Sequence, residues 1–299
     1  MKRGATKLLE EQSIIIRGVM KSADRFTLGP IDLSIPAGFV TAIVGPNGSG
    51  KSTLFRLLVN LTRPDRGRIE VLNRTYPEDD LELREKIGFM PDSYDLIDES
   101  MTARQMADFT APFYRRWDAG RYRRLLERFR IDEHKRFRKM SRGMIQKFSF
   151  AMTLAQSPEL LLLDEPSAGL DPLAWQDMLD EIHRYMEHEG HTVVIATHHI
   201  EEVRRLADYV VFMYEGNLLG MYEKDSLFEE WREVWINGEI TDLSEIDGLC
   251  YIDVRQPHRL ITHQYTKLSE ELQRRGVRIY QTQPVALDEI MRYMIHMHA

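Results

Sequence analysis

A single cysteine, Cys250, is all the thiol this sequence has. One thiol makes neither an internal disulfide nor a Cys-rich zinc site, which fits a reducing compartment. Long hydrophobic runs are missing as well. The apolar stretches, such as residues 209–214, are a few residues long, whereas a bilayer-spanning helix needs about 18. Any work at a membrane is therefore expected to go through a partner. The chain opens with Lys2 and Arg3 but reaches Glu10 and Glu11 before any apolar stretch, so no export signal is expected. There is no excess of positive charge: 40 Lys and Arg stand against 47 Asp and Glu, a formal charge of −7, which argues against a nucleic-acid partner. Internal repeats, low-complexity linkers and sustained heptads are also absent.

What is present is an ordinary globular composition, 43% apolar and 29% charged. A length of 299 residues suits one large domain or two modest ones. Residues 14–17 and 31–35 read as short strands, and Pro36-Ala37-Gly38 as a turn. Residues 39–44 form a continuous apolar run, as expected of a strand buried on both faces. A glycine-rich loop follows, then helical periodicity over 53–61 that stops before the turn at 63–67. Residues 99–155 show no strand pattern and read as a helical insert. Its arginines (Arg115, Arg116, Arg121, Arg123, Arg124, Arg128, Arg130) fit solvated helix faces, with Glu127, Asp132 and Glu133 interleaved. Strand patterns return at 160–163 and 193–196, with a helical stretch at 173–188 between them. Residues 209–213 and 218–221 flank a hairpin turn, Glu215-Gly216-Asn217. Beyond about residue 226, strands at 251–254 and 277–280 and helices at 266–275 and 286–298 suggest a small α+β appendix.

The loop Gly45-Pro46-Asn47-Gly48-Ser49-Gly50-Lys51-Ser52 fits G-x-x-x-x-G-K-[ST] without a mismatch. Glycines let successive backbone N–H groups curl around phosphate oxygens, and the following helix adds its positive end. Lys51 is expected to reach the β- and γ-phosphates of ATP, and the Ser52 hydroxyl to ligate Mg²⁺. Thr53 completes the candidate phosphate-binding set. Farther on, Leu160-Leu161-Leu162-Leu163 ends in Asp164-Glu165. A buried strand ending in two acids sets carboxylates at the carboxyl edge of a parallel sheet, where the loop also sits. Asp164 is the candidate Mg²⁺ ligand, and Glu165 the candidate base for the attacking water. His183, His188 and His191 fit no standard zinc spacing, and the 15 methionines read as core packing.

Between these motifs lies Lys139-Met140-Ser141-Arg142-Gly143-Met144-Ile145-Gln146-Lys147, and after them Ser167-Ala168-Gly169-Leu170-Asp171 and Ala196-Thr197-His198. In this order the segments resemble the ATP-binding subunit of ABC transporters, over residues 14 to about 225. The resemblance implies a P-loop NTPase α/β core with an antiparallel β subdomain and a helical subdomain bearing the ABC signature. The implied boundaries are 14–225 for the ATP-binding domain, about 93–157 for its helical subdomain and 226–299 for the α+β extension.

The resemblance further implies head-to-tail pairing with a second ATP-binding subunit, identical or not, and coupling to a separate transmembrane permease at the cytoplasmic face of the membrane. ATP would lie between one subunit's P-loop and the other's Ser141 and Gly143. Asp171 would reach across the interface. His198 would sense the γ-phosphate, with His199 as the alternative. Three positions depart from the family pattern. Arg142 stands where glycine is usual, a variant frequent among exporters. Asp92 takes the place of the Q-loop glutamine as a candidate metal ligand. Ser22 stands where an aromatic usually stacks on adenine, with Phe26 as the candidate substitute. Asp92, Asp95, Asp98 and Glu99 suggest an acidic surface for a basic or polar helix of the permease. The competing reading is a soluble ABC-type ATPase acting on the ribosome or DNA, and a nucleotide-sensing regulator is a third; the single P-loop and single signature favour the transporter.

Overall fold

A computed structural model describes residues 11–23, 26–92, 98–237, 246–253, 255 and 257–298. The chain forms two compact units, Met1–Ala207 with Met213–Leu218, and Asp208–Phe212 with Leu219–Ala299.

The first unit begins with a long antiparallel hairpin, β1 (Gln12–Ala23) and β2 (Phe26–Pro36). Ile14, Ile16 and Val19 turn inward from β1, and Leu28, Ile31 and Ile35 from β2. The strands run well beyond the short segments read from the sequence. A bulge near Gly18 shifts the register between Ile16 and Val19 and breaks the alternation that a sequence pattern relies on. With β4 (Arg66–Val71) and β5 (Arg74–Thr75), the hairpin makes an antiparallel sheet of order β2-β1-β4-β5. Arg66 and Gly67 therefore open a strand instead of closing a turn.

The core sheet is built from β3 (Val40–Val44), β6 (Ile87–Met90), β7 (Leu160–Asp164) and β8 (Thr192–Thr197). These run parallel in the order β3-β8-β7-β6. Leu160, Leu161, Leu162 and Leu163 are fully buried, each contributing about 1.5–3 kcal/mol of transfer free energy. The registers Val44↔Thr197, Asp164↔Ala196 and Met90↔Leu163 bring all four carboxyl ends to one edge. The residues beyond that edge are those the sequence singles out: the glycine loop after β3, Asp92 after β6, Glu165 after β7 and His198 after β8.

Helix α1 (Lys51–Leu58) starts two residues earlier than its periodicity suggests, because Gly50 adopts φ 105° and feeds the loop straight into the helix. A short α2 (Asp80–Lys86) precedes β6. The helical insert comprises α3 (Ala103–Thr110), α4 (Ala119–Arg128) and α5 (Arg142–Ala155). Each starts on a side-chain cap, Thr102, Asp118 and Ser141 respectively, which accepts an otherwise unpaired backbone N–H. Phe129, Phe137, Phe148 and Phe150 pack among these helices. Arg128 bonds Asp180 at 2.7 Å and Glu181 at 2.8 Å on α6 (Pro172–Met186), and Arg116 bonds Glu159 at 2.7 Å. These arginines serve internal ion pairs. Helix α7 (Ile200–Leu206) follows the core strand β8 directly.

β9 (Tyr209–Tyr214) and β10 (Asn217–Glu223) meet at the two-residue turn Glu215-Gly216, both with positive φ, and their residues are divided between the units. The second unit adds α8 (Lys224–Glu230) and a four-stranded antiparallel sheet of order β12-β13-β11-β14. Its strands are β11 (Arg232–Ile236), β12 (Leu249–Asp253), β13 (His258–Thr262) and β14 (Ile279–Pro284). The helix α9 (Tyr265–Arg274) carries the chain from β13 over to β14 with β11 between them, a split β-α-β arrangement. Leu268 and Leu272, four residues apart, bury one face of α9 against Val234, Ile236 and Leu260. The chain continues into α10 (Leu287–His298).

Candidate functional site: the carboxyl edge of the parallel sheet

The glycine loop closes on itself before any ligand is considered. The Ser49 N–H donates to the Pro46 carbonyl at 3.1 Å, and Leu54 N–H to the Gly50 carbonyl at 2.9 Å. That second bond is the first of α1, so the N–H groups of Lys51, Ser52 and Thr53 have no intrahelical acceptor. Gly50 stands at φ 105°, where a side chain is strained, and a Cβ there would meet Leu28 Cδ1 at 2.8 Å and Phe26 Cζ at 2.9 Å, so both side chains would have to shift. The same distances place the Phe26 ring against the loop.

Lys51 lies folded over the loop. Its Nζ donates to the Gly45 carbonyl at 2.8 Å and the Pro46 carbonyl at 3.2 Å, and sits 3.7 Å from Glu165 Oε1. Burial holds its ammonium below the usual lysine pKa, opposed by Glu165 and Asp164. Asp164, the last residue of β7, is buried and its Oδ1 has no hydrogen-bond partner. Burial, opposed by a hydrogen bond from Ser52 and helped by the carboxylates of Glu165 and Asp92, brings its carboxyl up to about 6 in all. A partnerless buried carboxylate oxygen, with a hydroxyl hydrogen-bonded to the same group, is a donor set that fits Mg²⁺, a hard oxygen-seeking cation.

Glu165 adopts φ 49°, a left-handed conformation that costs a non-glycine residue about 1–2 kcal/mol. Three contacts hold it there. Its N–H donates to the Ala196 carbonyl at 2.8 Å. Its Oε2 lies 2.9 Å from His198 Nδ1. Its carbonyl accepts from Gln146 Nε2 at 3.0 Å, and the same amide reaches the Pro166 carbonyl at 3.0 Å. Gln146 is fully buried on α5, so a side chain in the signature segment fixes the backbone of the acidic pair. The role of Gln146 is not legible in the sequence, where it looks like one polar residue on a helix. His199 donates its backbone N–H to Thr197 Oγ1 at 2.9 Å, and its ring lies beside that of His198, centroids 4.0 Å apart.

Ser141 and Gly143 form a second cluster, at the start of α5. Ser141 caps that helix, and a Cβ on Gly143 would lie 2.7 Å from the Gly169 carbonyl. Asp171 caps α6, accepting from Leu173 N–H at 3.0 Å and Ala174 N–H at 2.9 Å. Asp92 and Arg142, two of the departures in the sequence, meet in an ion pair of 3.2 Å. Ser22, where an aromatic is usual, donates its N–H to Asp65 Oδ2 at 2.7 Å. Of the acidic stretch, residues 93–97, with Asp95, lie outside the described residues; Asp98 accepts from the Ser100 backbone and hydroxyl. Sequence reasoning also passes over Glu202, a buried carboxyl on α7 that accepts from the Ser167 hydroxyl.

The sequence profile of the ABC transporter family matches residues 28–168. The daunorubicin resistance ATP-binding protein DrrA3 of Streptomyces coeruleorubidus is 33% identical over 228 residues, covering 74% of this chain and 72% of that protein. This chain belongs to the ABC transporter ATP-binding proteins. The lantibiotic transport ATP-binding protein SrtF of Streptococcus pyogenes is 34% identical, covering 75% of this chain and 96% of SrtF. Among solved structures, cbiO1 from Clostridium perfringens, part of the ABC transporter complex cbiONQ, superposes with a TM-score of 0.61 at 30% identity, covering 74% of this chain and 92% of cbiO1. The ABC ATP-binding subunit binds ATP and hydrolyses it. Subunits of this family dimerise and work with transmembrane partners. Among the described residues of this one, no helix is long and apolar enough to cross a membrane.

Proposed function

We propose that this subunit powers export by a separate transmembrane permease, from the cytoplasmic face of the membrane, as one half of an ATP-closed dimer of identical or different subunits. The observation that carries the site is the placement of Glu165, with Oε1 3.7 Å from Lys51 Nζ and Oε2 2.9 Å from His198 Nδ1. Residues Gly45 to Thr53 wrap the polyphosphate with backbone N–H groups, and Lys51 gives up its carbonyl partners for the β- and γ-phosphates. Ser52 and Asp164 would hold Mg²⁺, which would supply charge neutralisation on the phosphate oxygens; Asp92, the third candidate ligand in the sequence, is paired with Arg142 instead. Glu165 accepts a proton from the attacking water, and His198 orients that carboxylate and hydrogen-bonds the γ-phosphate. Phe26, packed against Gly50, stacks on adenine. Ser141 and the Gly143 N–H, at the positive end of α5, serve the ATP of the opposite subunit, and Asp171 faces that subunit.

Export is favoured by the relatives, one named for daunorubicin resistance and one for lantibiotic transport. A groove of about 490 Å³ beside α2, lined by Leu61, Leu81, Phe89, Phe113 and Tyr114 with Arg84 and Glu85 at its edge, suits a short amphipathic helix of the permease. Leu61, Leu81 and Phe113 are each more than 60% exposed there, which an apolar partner would relieve. The acidic stretch is the alternative docking surface, and of it residues 93–97 lie outside the described residues.

The test is to purify tagged Glu165→Gln protein from its own cells with ATP and identify what accompanies it. A multi-span membrane protein, lost from the eluate when Leu81→Asp is added, is the expected result. Ribosomes or DNA factors without a membrane protein would overturn the transporter reading.

A further inference from the structure

Two sequence departures that look independent are in contact. Arg142 Nη2 lies 3.2 Å from Asp92 Oδ1, and the two side chains are 62% and 44% exposed. Asp92 follows β6 at the edge that carries the phosphate loop, close enough for its charge to act on Lys51 and Asp164. Arg142 is the first residue of α5, a 14-residue helix capped by Ser141. A cation at that position is electrostatically misplaced, because the helix end is itself positive. The cost makes sense where an anion docks on that end, and Asp92 is such an anion within the subunit.

The arginine stem is guided from a third side. Gly169 stands at φ 76°, and a Cβ on it would come within 3.2 Å of Arg142 Cδ and 3.3 Å of its Cγ. The stem thus lies against the segment that follows Glu165, with the guanidinium exposed at its end. Exposed ion pairs are weak. A triphosphate carries more charge than one carboxylate and accepts a guanidinium in a bidentate fork.

We propose that Arg142 is an exchangeable latch: in the resting subunit its guanidinium sits on Asp92, and on ATP-driven closure it transfers to the triphosphate held by the opposite subunit. This rests on the site reading above, in which the start of α5 faces the partner's nucleotide. Asp92 then serves as the resting acceptor that keeps Arg142 off stray anions, and the two departures compensate each other. Arg142 would be a binding residue for the second ATP, and Asp92 its positioning residue.

The test uses the full chain carrying Glu165→Gln, so that bound ATP persists, and reads the ATP–Mg²⁺ concentration giving half-maximal dimer by light scattering. Asp92→Asn frees the arginine and should lower that concentration about two- to fivefold. Arg142→Gln should raise it about tenfold or more, and Arg142→Lys should recover part of the loss. Asp92→Asn added to Arg142→Gln should have no further effect, because the latch is already gone. Equal effects of Asp92→Asn in both backgrounds, or an unmoved midpoint in Arg142→Gln, overturn the latch, as does the absence of any ATP-driven dimer. Binding of a fluorescent ATP analogue to Lys51→Ala is measured alongside. Retained binding there overturns the site reading itself, whereas loss of binding with an unmoved Arg142→Gln overturns the latch alone.

Discussion

Glu202 offers a quantitative check on the interior of the ATPase unit. It lies in the first turn of α7, is 2% exposed, accepts from the Ser167 hydroxyl at Oε1 and has no partner at Oε2. Burial raises its pKa from 4.5 to about 7, against the hydrogen bonds of Ser167 and Thr197 and with help from the Glu165 carboxylate. The folded state therefore binds this proton more tightly than the unfolded chain. Ionising the group costs stability that is intact below pH 4.5 and is lost as pH rises through about 7. At 1.36 kcal/mol per unit, the cost is about 3 kcal/mol at pH 8 and about 1 kcal/mol at pH 5. Glu202→Gln keeps an acceptor for Ser167 and removes the charge, but leaves an unpaired amide costing about 1 kcal/mol. The variant should gain about 2 kcal/mol over the parent at pH 8 and about nothing at pH 5, a difference of several degrees in melting temperature. Thermal unfolding of both proteins at the two pH values reads this directly. Asp164 and the other carboxyls cancel in the comparison, so a stability difference that does not change with pH refutes the reasoning.

Two further outcomes follow from the same edge of the sheet. Gln146→Leu removes the amide that holds the Glu165 and Pro166 carbonyls, and should lower stability by about 1–3 kcal/mol, read as a lower melting temperature. Because the carbonyl of a strained residue is released, its ATPase rate should also fall at saturating ATP. Phe26→Ala should weaken ATP binding about tenfold with little change in the maximal rate, the loss expected from one base–aromatic stack. Equilibrium binding of ATP set against saturating turnover separates the two, and unchanged affinity removes Phe26 from the adenine site.

Much of the site was legible because its chemistry is local. A phosphate loop needs glycines, one lysine and one hydroxyl at fixed spacing, and Gly45 to Thr53 is contiguous. An apolar strand run ending in Asp164-Glu165 carries its own direction, as does the run ending at Thr197-His198. The α/β class, the helical insert and the α+β ending are visible for the same reason, in periodicity and its interruption. Where the pattern was broken by a bulge, as at Gly18, or the strand was short, as at β5 and β6, the elements were truncated or missed.

The amino-acid sequence alone determined that three buried strands end in chemistry: a loop that cradles phosphate, two acids and a histidine; Asp92 was singled out by the family pattern, its strand β6 by the structure. The loop and the acids were expected at one edge of a parallel sheet; only the tertiary structure decided the strand order β3-β8-β7-β6 that brings Asp92 and His198 to it as well, a long-range property that no local spacing encodes. It also decided the partners. Gln146 on Glu165, Glu202 under Ser167 and Arg142 on Asp92 join residues 19 to 50 positions apart. A polar side chain's meaning lies in what it bonds, and a sequence shows the donor long before it shows the acceptor.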